Sequence, residues 1–412
     1  MKATLGILLA ATLSLQAQSG VHSFTLANGL RVLHLEEREH PLVRVRLFVR
    51  LEPGDVPPGR QGLPLLFQRT FTKGETADLK AGELDRNLDD SGIQLTQSLE
   101  AGGFTWRLVT RSRDQDRAMG LLADRLLRTL LDPTLLEAER LVCKRLLERP
   151  EGTPHERLRQ ALAQDPAARP SMSSLGAITL QDLLAFRARV LRPDRAILIL
   201  HGDLGLEQAK RLVLLSLGAW SVPSPTTPAS PAPSLVSTTA SPGSVGTLQI
   251  PSPGAGIRIQ AVASPSGKLP REIVELLGLL VPGDASLPPV RVGVEDGCLV
   301  ATLDGETGTP ASVAWSLLHD RLEALRQRGF TQADLERARV AWLARRSLDS
   351  LHVEAQIYGA LAEALGQSAT EDRMRALSLE ALNAGLSQWL DPAKLRVGAL
   401  GEPELLKTLP IR

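Results

Sequence analysis

In this chain of 412 residues, metal chemistry would have to start from the histidines, which are His22, His34, His40, His155, His201, His319 and His352. No two of them lie three or four residues apart, the spacing at which a helix offers paired imidazoles to one ion. His34 and His40 flank a turn, and His352 precedes Glu354 by two positions, where helical side chains do not face each other. Each reads as an ordinary surface or packed histidine. No Gly-x-Ser-x-Gly elbow presents a nucleophile and no glycine loop cradles a phosphate. Cys143 and Cys298 fall in different halves of the chain and read as two small buried or semi-buried thiols rather than a disulfide. The stretch that invites chemistry without supplying it is residues 62–76, GLPLLFQRTFTKGET. A glycine, a short apolar helical run, an aromatic and Lys73-Gly74-Glu75-Thr76 form a frame that contains no metal ligand. Arg69 could clamp a carboxylate there, but reads first as a solvated or salt-bridged arginine.

Composition narrows the partners. Lys and Arg total 47 against 46 Asp and Glu, a net charge of +1, so no global field draws nucleic acid or an anionic membrane. Aromatics at 3 % leave little for base stacking. The N-terminus, MKATLGILLAATLSLQAQSG, has a lysine, an apolar run and small residues at Ala17 and Ser19 where a peptidase could cut, which reads as an export signal over residues 1–19. No segment supplies the roughly 20 apolar residues of a membrane span. The expected location is therefore outside the cytoplasm, in the periplasm, in soluble form.

The elements that must carry any site occur twice. Leu136-Glu-Ala-Glu-Arg-Leu141 matches Leu335-Glu-Arg-Ala-Arg-Val340, Ile178-Thr-Leu-Gln-Asp-Leu183 matches Leu377-Ser-Leu-Glu-Ala-Leu382, and Leu191-Arg-Pro-Asp-Arg195 matches Leu390-Asp-Pro-Ala-Lys394, each pair 199 residues apart. Three matches at one offset indicate a duplication. In each repeat a helix starts after Asp132-Pro133 or Thr331, a second is capped by Thr179 or Ser378, and a strand follows at Ala196–Leu200 or Leu395–Leu400. Phe24 to Val32 holds two strand runs around Asn28-Gly29, a hairpin signal, and Val43 to Leu51 alternates as a half-buried strand does. Leu121, Leu122, Leu126, Leu127 and Leu130 form a core-facing stripe, while the basic run Arg107 to Arg117 reads as solvated surface. The fold class is α+β: two tandem homologous units, each a mostly antiparallel sheet with helices packed on one face. The expected boundaries are 20–219 and 246–412, joined by a Pro/Ser-rich linker at 220–245.

The two α+β units, the hairpin at Thr25–Val32, the frame at Gly62 and the run from Gly176 to Asp203 together resemble the pitrilysin/insulinase peptidase family, which includes the mitochondrial processing peptidases. The resemblance covers most of residues 22–219 and is weaker from 312 to 401. It implies an inverted zinc motif, His-x-x-Glu-His, after the glycine, and a further glutamate ligand on a later helix. On this chain those positions fall on Leu65, Gln68, Arg69 and Leu146. Leucine has no lone pair to give, arginine is a permanent cation, and glutamine cannot take and return a proton. No metal or other cofactor is expected. The resemblance also implies that extended peptides lie along an edge strand, here Gln94, Leu95, Thr96 and Gln97. It further implies a substrate-touching arginine and tyrosine seven apart: Arg291 fits, but position 298 is Cys and the lone tyrosine is Tyr358.

Two functions follow. The first is the non-catalytic subunit of an exported heterodimeric zinc metallopeptidase, a pseudo-metallopeptidase whose partner carries His-x-x-Glu-His. The second is a stand-alone, homodimeric peptide-binding protein without proteolytic activity. An enzyme with a relocated site, built on a histidine such as His201, has little in the sequence to support it.

Overall fold

The structure, a computed structural model, describes residues 21–407 apart from 81, 101, 149–152, 155–156, 159–161, 163–169, 222–247, 252–256, 264–269, 282–289, 296–297, 306–308, 350, 367–370 and 392–394. The expected export signal at 1–19 and the linker from 222 onward lie outside the described residues.

The first unit contains strands β1 (Val21–Thr25), β2 (Arg31–Glu36), β3 (Leu42–Arg50), β4 (Gln94–Glu100), β5 (Gly103–Arg111) and β6 (Ala196–Gly202). They form one sheet in the order β1-β2-β6-β3-β5-β4, antiparallel throughout except for the parallel pair β2–β6. The Asn28-Gly29 hairpin forms as expected, pairing Phe24 with Val32 and Thr25 with Arg31. Seven helices accompany this sheet among the described residues: α1 (Leu63–Lys73), α2 (Glu83–Ser91), α3 (Gln115–Arg128), α4 (Pro133–Glu148), α5 (Met172–Gly176), α6 (Leu180–Val190) and α7 (Leu206–Leu217).

The second unit repeats the plan with β7 (Leu248–Pro251), β8 (Arg258–Ala263), β9 (Arg291–Glu295), β10 (Cys298–Asp304) and β11 (Arg396–Gly401) in the order β7-β11-β8-β10-β9. Its single parallel pair, β7–β11, takes the place of β2–β6. The order matches β2-β6-β3-β5-β4 strand for strand, so the duplication read from three short segments extends to the whole sheet. Helices α8 (Arg271–Leu280), α9 (Ala311–Arg328), α10 (Gln332–Asp349), α11 (Val353–Ala364), α12 (Glu371–Ala376), α13 (Leu379–Trp389) and α14 (Pro403–Leu406) belong to this half. Thr179 and Ser378 cap α6 and α13 by accepting hydrogen bonds from the backbone N–H of Asp182 and Ala381.

Each unit has its own core between one sheet face and its helices. In the first, Val43, Val45, Leu47 and Val49 of β3 meet Leu66, Phe67 and Phe71 of α1. Of the expected leucine stripe, Leu122 and Leu126 are buried and Leu121 and Leu127 partly so, whereas Leu130 lies beyond the end of α3 and is exposed. Cys143 is a free, buried thiol.

The other face of each sheet holds a finding that the alternation of β3 did not predict. This strand is buried on both sides, because α11 of the second unit lies on the back of the first sheet, with Ile357, Ala360 and Leu361 against Leu33, Phe48, Ile197 and Ile199. The exchange is mutual. Leu158 and Leu162 of the first unit pack on Ile250, Val262, Val300 and Leu400 of the second sheet. A Cβ on Gly398 would stand 2.5 Å from Leu158 Cδ1, so the absence of a side chain there lets the segment seat against the strand. Ile357 and Leu361 stand 199 residues after Leu158 and Leu162. Two pairs of equivalent residues thus form a reciprocal clasp.

Polar groups hold the first half of that clasp. Arg46, almost fully buried, pairs with Glu354 at 2.7 Å and stacks over the Tyr358 ring at 3.8 Å. Arg107 donates to the Tyr358 hydroxyl at 2.9 Å and pairs with Glu100. Arg107 is thus part of an inter-unit contact, not the solvated surface that its basic neighbourhood suggested.

Candidate functional site

The frame at Gly62 folds into α1, and the helix has two distinct sides. Leu63, Leu66, Phe67, Thr70 and Phe71 recur at helical spacing and are buried. Phe67 and Phe71 pack edge-on or tilted against Phe104, Phe186 and Trp106, with ring centroids 5.2 to 6.1 Å apart. Pro64 sits in the first turn, where its missing N–H costs no helical bond. A Cβ on Gly62 would come within 2.4 Å of Leu175, so the entry to α1 needs a residue without one.

The other side carries Leu65, Gln68, Arg69, Thr72 and Lys73, and it looks toward α4 and the edge strand β4. Arg69 Nε donates to Glu139 Oε2 at 2.8 Å, and Lys73 Nζ donates to Glu139 Oε1 at 2.7 Å. Glu139 is only 4 % exposed at its side chain. Burial pushes this carboxyl up, but the hydrogen bonds from Lys73 and Arg69 outweigh it and hold the group below the usual glutamate range. One turn along α4, burial raises the Cys143 thiol. Gln68 Nε2 donates to the Gln97 carbonyl at 3.4 Å, and Thr72 Oγ1 donates to Gln97 Oε1 at 3.0 Å. Leu65 is half-buried and packs on the core, and Leu146 is likewise half-buried.

Of the residues named from sequence, the structure joins Gln68 to Gln97 directly and ties Arg69 to Glu139 on the helix that carries Leu146. The locus is an ion triad of one carboxylate between two cations. It offers no lone-pair donors at Leu65, Arg69 or Leu146. Its single carboxylate is ionised and engaged at both oxygens, so it is not a free base. Among the described residues, the one cluster of acidic and histidine side chains within reach of a shared ion is Glu37, Glu39 and His40, at the turn after β2. Glu37 Oε1 there accepts from the backbone N–H groups of Glu39 and His40, so the cluster shapes the turn.

Strand β4 is the outermost strand of its sheet and pairs with β5 alone. Gln94 and Thr96 are exposed and Leu95 and Gln97 half-buried, which leaves one backbone edge open among the described residues. In the second unit Arg291 lies on the matching edge strand, β9, where it shares Asp304 with Arg258. Tyr358 is committed to the clasp and does not stand beside it.

Sequence reasoning missed a pair of arginines. Arg140 on α4 reaches past its own helix, donating through Nη1 to the Leu175 carbonyl and through Nη2 to the Ile178 carbonyl at 2.7 Å. Arg339 on α10 donates to the carbonyls of Met374 at 3.2 Å and Leu377 at 2.5 Å. All three pairs, 140 and 339, 175 and 374, 178 and 377, are 199 apart. The signal was present, because both arginines lie in an aligned segment, but their targets are backbone atoms and leave no trace in residue type.

No family model matches the sequence, and no curated protein matches it. Solved structures do match. A protease from Helicobacter pylori superposes with a TM-score of 0.73 at 18 % identity, over 92 % of this chain and 99 % of its own. An M16 peptidase inactive domain from Pseudomonas fluorescens gives 0.71 at 19 % identity, over 93 % and 98 %. The periplasmic protease PqqL from Escherichia coli gives 0.68 at 14 % identity over 93 % of this chain, which spans 45 % of that one. At these identities the likeness defines the fold. The chain has the two-unit fold of the M16, or pitrilysin/insulinase-like, peptidases. Its sequence contains no His-x-x-Glu-His motif.

Proposed function

We propose that this chain is a non-catalytic, pitrilysin/insulinase-like subunit that is exported and pairs with an active zinc peptidase carrying His-x-x-Glu-His. In that pair it supplies walls and an interface to the peptide chamber. The observation that carries the reading is the closed triad of Arg69, Lys73 and Glu139 between α1 and α4, on the helix where the resemblance to the family would put the metal ligands. Two similarities support it. The protein from Pseudomonas fluorescens is itself described as an inactive domain, and the periplasmic Escherichia coli protease is more than twice the length that this chain matches, so one protein there holds room for two such bodies. Residues 20–219 and 246–412 would then be the two peptidase-like domains, and Gln94 to Gln97 on the open edge of β4 the strand against which an extended peptide lies.

Affinity capture of the mature chain from an envelope extract of its native host tests the pairing. A stoichiometric partner bearing His-x-x-Glu-His is the expected result. The open β4 edge also favours a second reading, a homodimer that captures extended peptides without cutting them. Recovery of the chain only with itself would move the account there.

A further inference from the structure

A cleft of about 410 Å³ opens at the rim of the first sheet, and none of the residues of α1, α4 or β4 line it. Its walls hold four guanidinium groups, from Arg31, Arg50, Arg192 and Arg195, against the carboxylates of Glu52 and Asp194. Those carboxylates are already engaged. Asp194 accepts from Arg192 Nε at 3.0 Å and Nη2 at 2.7 Å. Arg195 Nη1 donates to both oxygens of the buried Asp55 at 2.9 Å, and its Nη2 reaches Glu52 at 3.4 Å. Two cations are left with donors to spare. Arg31 uses Nη1 alone, on the carbonyl of Ala364 at 2.9 Å, and Arg50 is exposed with no acceptor among the described residues. Strands β2 and β3 flank β6, with Arg31 beside Ile197 and Arg50 one position past the last β3–β6 pair, so both arginines serve the same end of the sheet.

We infer that this cleft binds a small multivalent oxyanion, a phosphate or a di- or tricarboxylate, held by the free N–H groups of Arg31 and Arg50. Guanidinium forks match the paired oxygens of both ligand types, and the volume falls within the range of small-molecule sites. Few apolar side chains line the walls, which selects against a greasy ligand. Because Ala364 comes from the second unit and holds Arg31 in place, occupancy reinforces the seating of α11 on the first sheet. The inference stands apart from the proposed pairing, since it involves neither the metal locus nor β4.

Isothermal titration of the purified full chain with inorganic phosphate, and separately with citrate, at constant ionic strength in a chloride buffer, tests it. The expected result is saturable binding of one anion per chain, weakened at least tenfold in Arg50→Ala and unchanged in Arg113→Ala, an exposed arginine elsewhere. The Arg50 side chain makes no bond among the described residues, so its variant folds; a matching thermal melt without anion verifies this. Whichever anion binds more tightly identifies the source chemistry. Absence of saturable heat with both anions, or equal binding by Arg50→Ala, overturns the inference.

Discussion

Two neighbouring residues on α4 and their counterparts on α10 have had opposite fates. Arg140 and Arg339 donate to two equivalent backbone carbonyls before the next helix, Arg339 adding a third bond to the Arg375 carbonyl, and each also pairs with a glutamate three residues earlier, Glu137 or Glu336. Glu139, one position before Arg140, holds Arg69 and Lys73, whereas its counterpart Ala338 is a buried methyl in the second core. The shared residue serves the fold, which both units must build. The unshared one serves a locus that only the first unit has. Backbone carbonyls buried beside a helix need a donor wherever the plan is repeated. A charge triad needs its partners in only one place.

The comparison can be broken most forcefully at the shared residue. Arg140→Leu should destabilise the chain by about 3 kcal/mol, because two carbonyls lose a charged donor in a buried setting. Arg339→Leu should cost a similar amount, read by urea denaturation of each variant. A large loss at one site and none at the other would mean that the equivalence is only geometric.

A smaller effect is expected at the unshared residue. Glu139→Ala, which copies the second unit, should cost about 1–2 kcal/mol, since Lys73 is half-exposed and both cations can turn to water. Its pH dependence sharpens the point. Glu139 titrates lower in the folded chain than when unfolded, so its contribution is present above the unfolded glutamate pKa, about 4.3, and fades as pH falls through the folded value. The stability gap between the parent and Glu139→Gln should therefore be full at pH 7 and shrink in acid. A gap that stays constant with pH would remove the ion triad from the account.

The smallest change falls on the clasp. Tyr358→Phe keeps the ring over Arg46 and deletes only the hydroxyl that accepts from Arg107, for an expected loss of about 0.5–1 kcal/mol. Gly398→Ala probes the opposite half, where the added methyl meets Leu158 and should cost about 1 kcal/mol through overpacking.

Much of this was legible in the chain. The 199-residue offset, the Thr179 and Ser378 caps, the hairpin at Asn28-Gly29 and the lack of any His-x-x-Glu-His are all written in residue types and spacing. The clasp was harder to see. Ile357 and Leu361 match Leu158 and Leu162 at the same offset, but alternation along β3 speaks of one buried face and carries no word about a helix arriving from the other unit. Arg107 misled for the same reason, since a basic residue on a strand reads as solvated until its distant partner, Tyr358, is known. The partner of Glu139 was hidden too, because Arg69 and Lys73 lie far from it in sequence and on a different helix.

The central claim is that α1 and α4 keep their packing while the chemistry at their interface is closed. Zinc content, measured by elemental analysis on the purified mature chain after exposure to excess Zn²⁺ and gel filtration, tests it most directly when paired with a peptide-cleavage assay. The account predicts substoichiometric zinc and no chelator-sensitive cleavage. One tightly held zinc per chain, with cleavage abolished by a chelator, would contradict it.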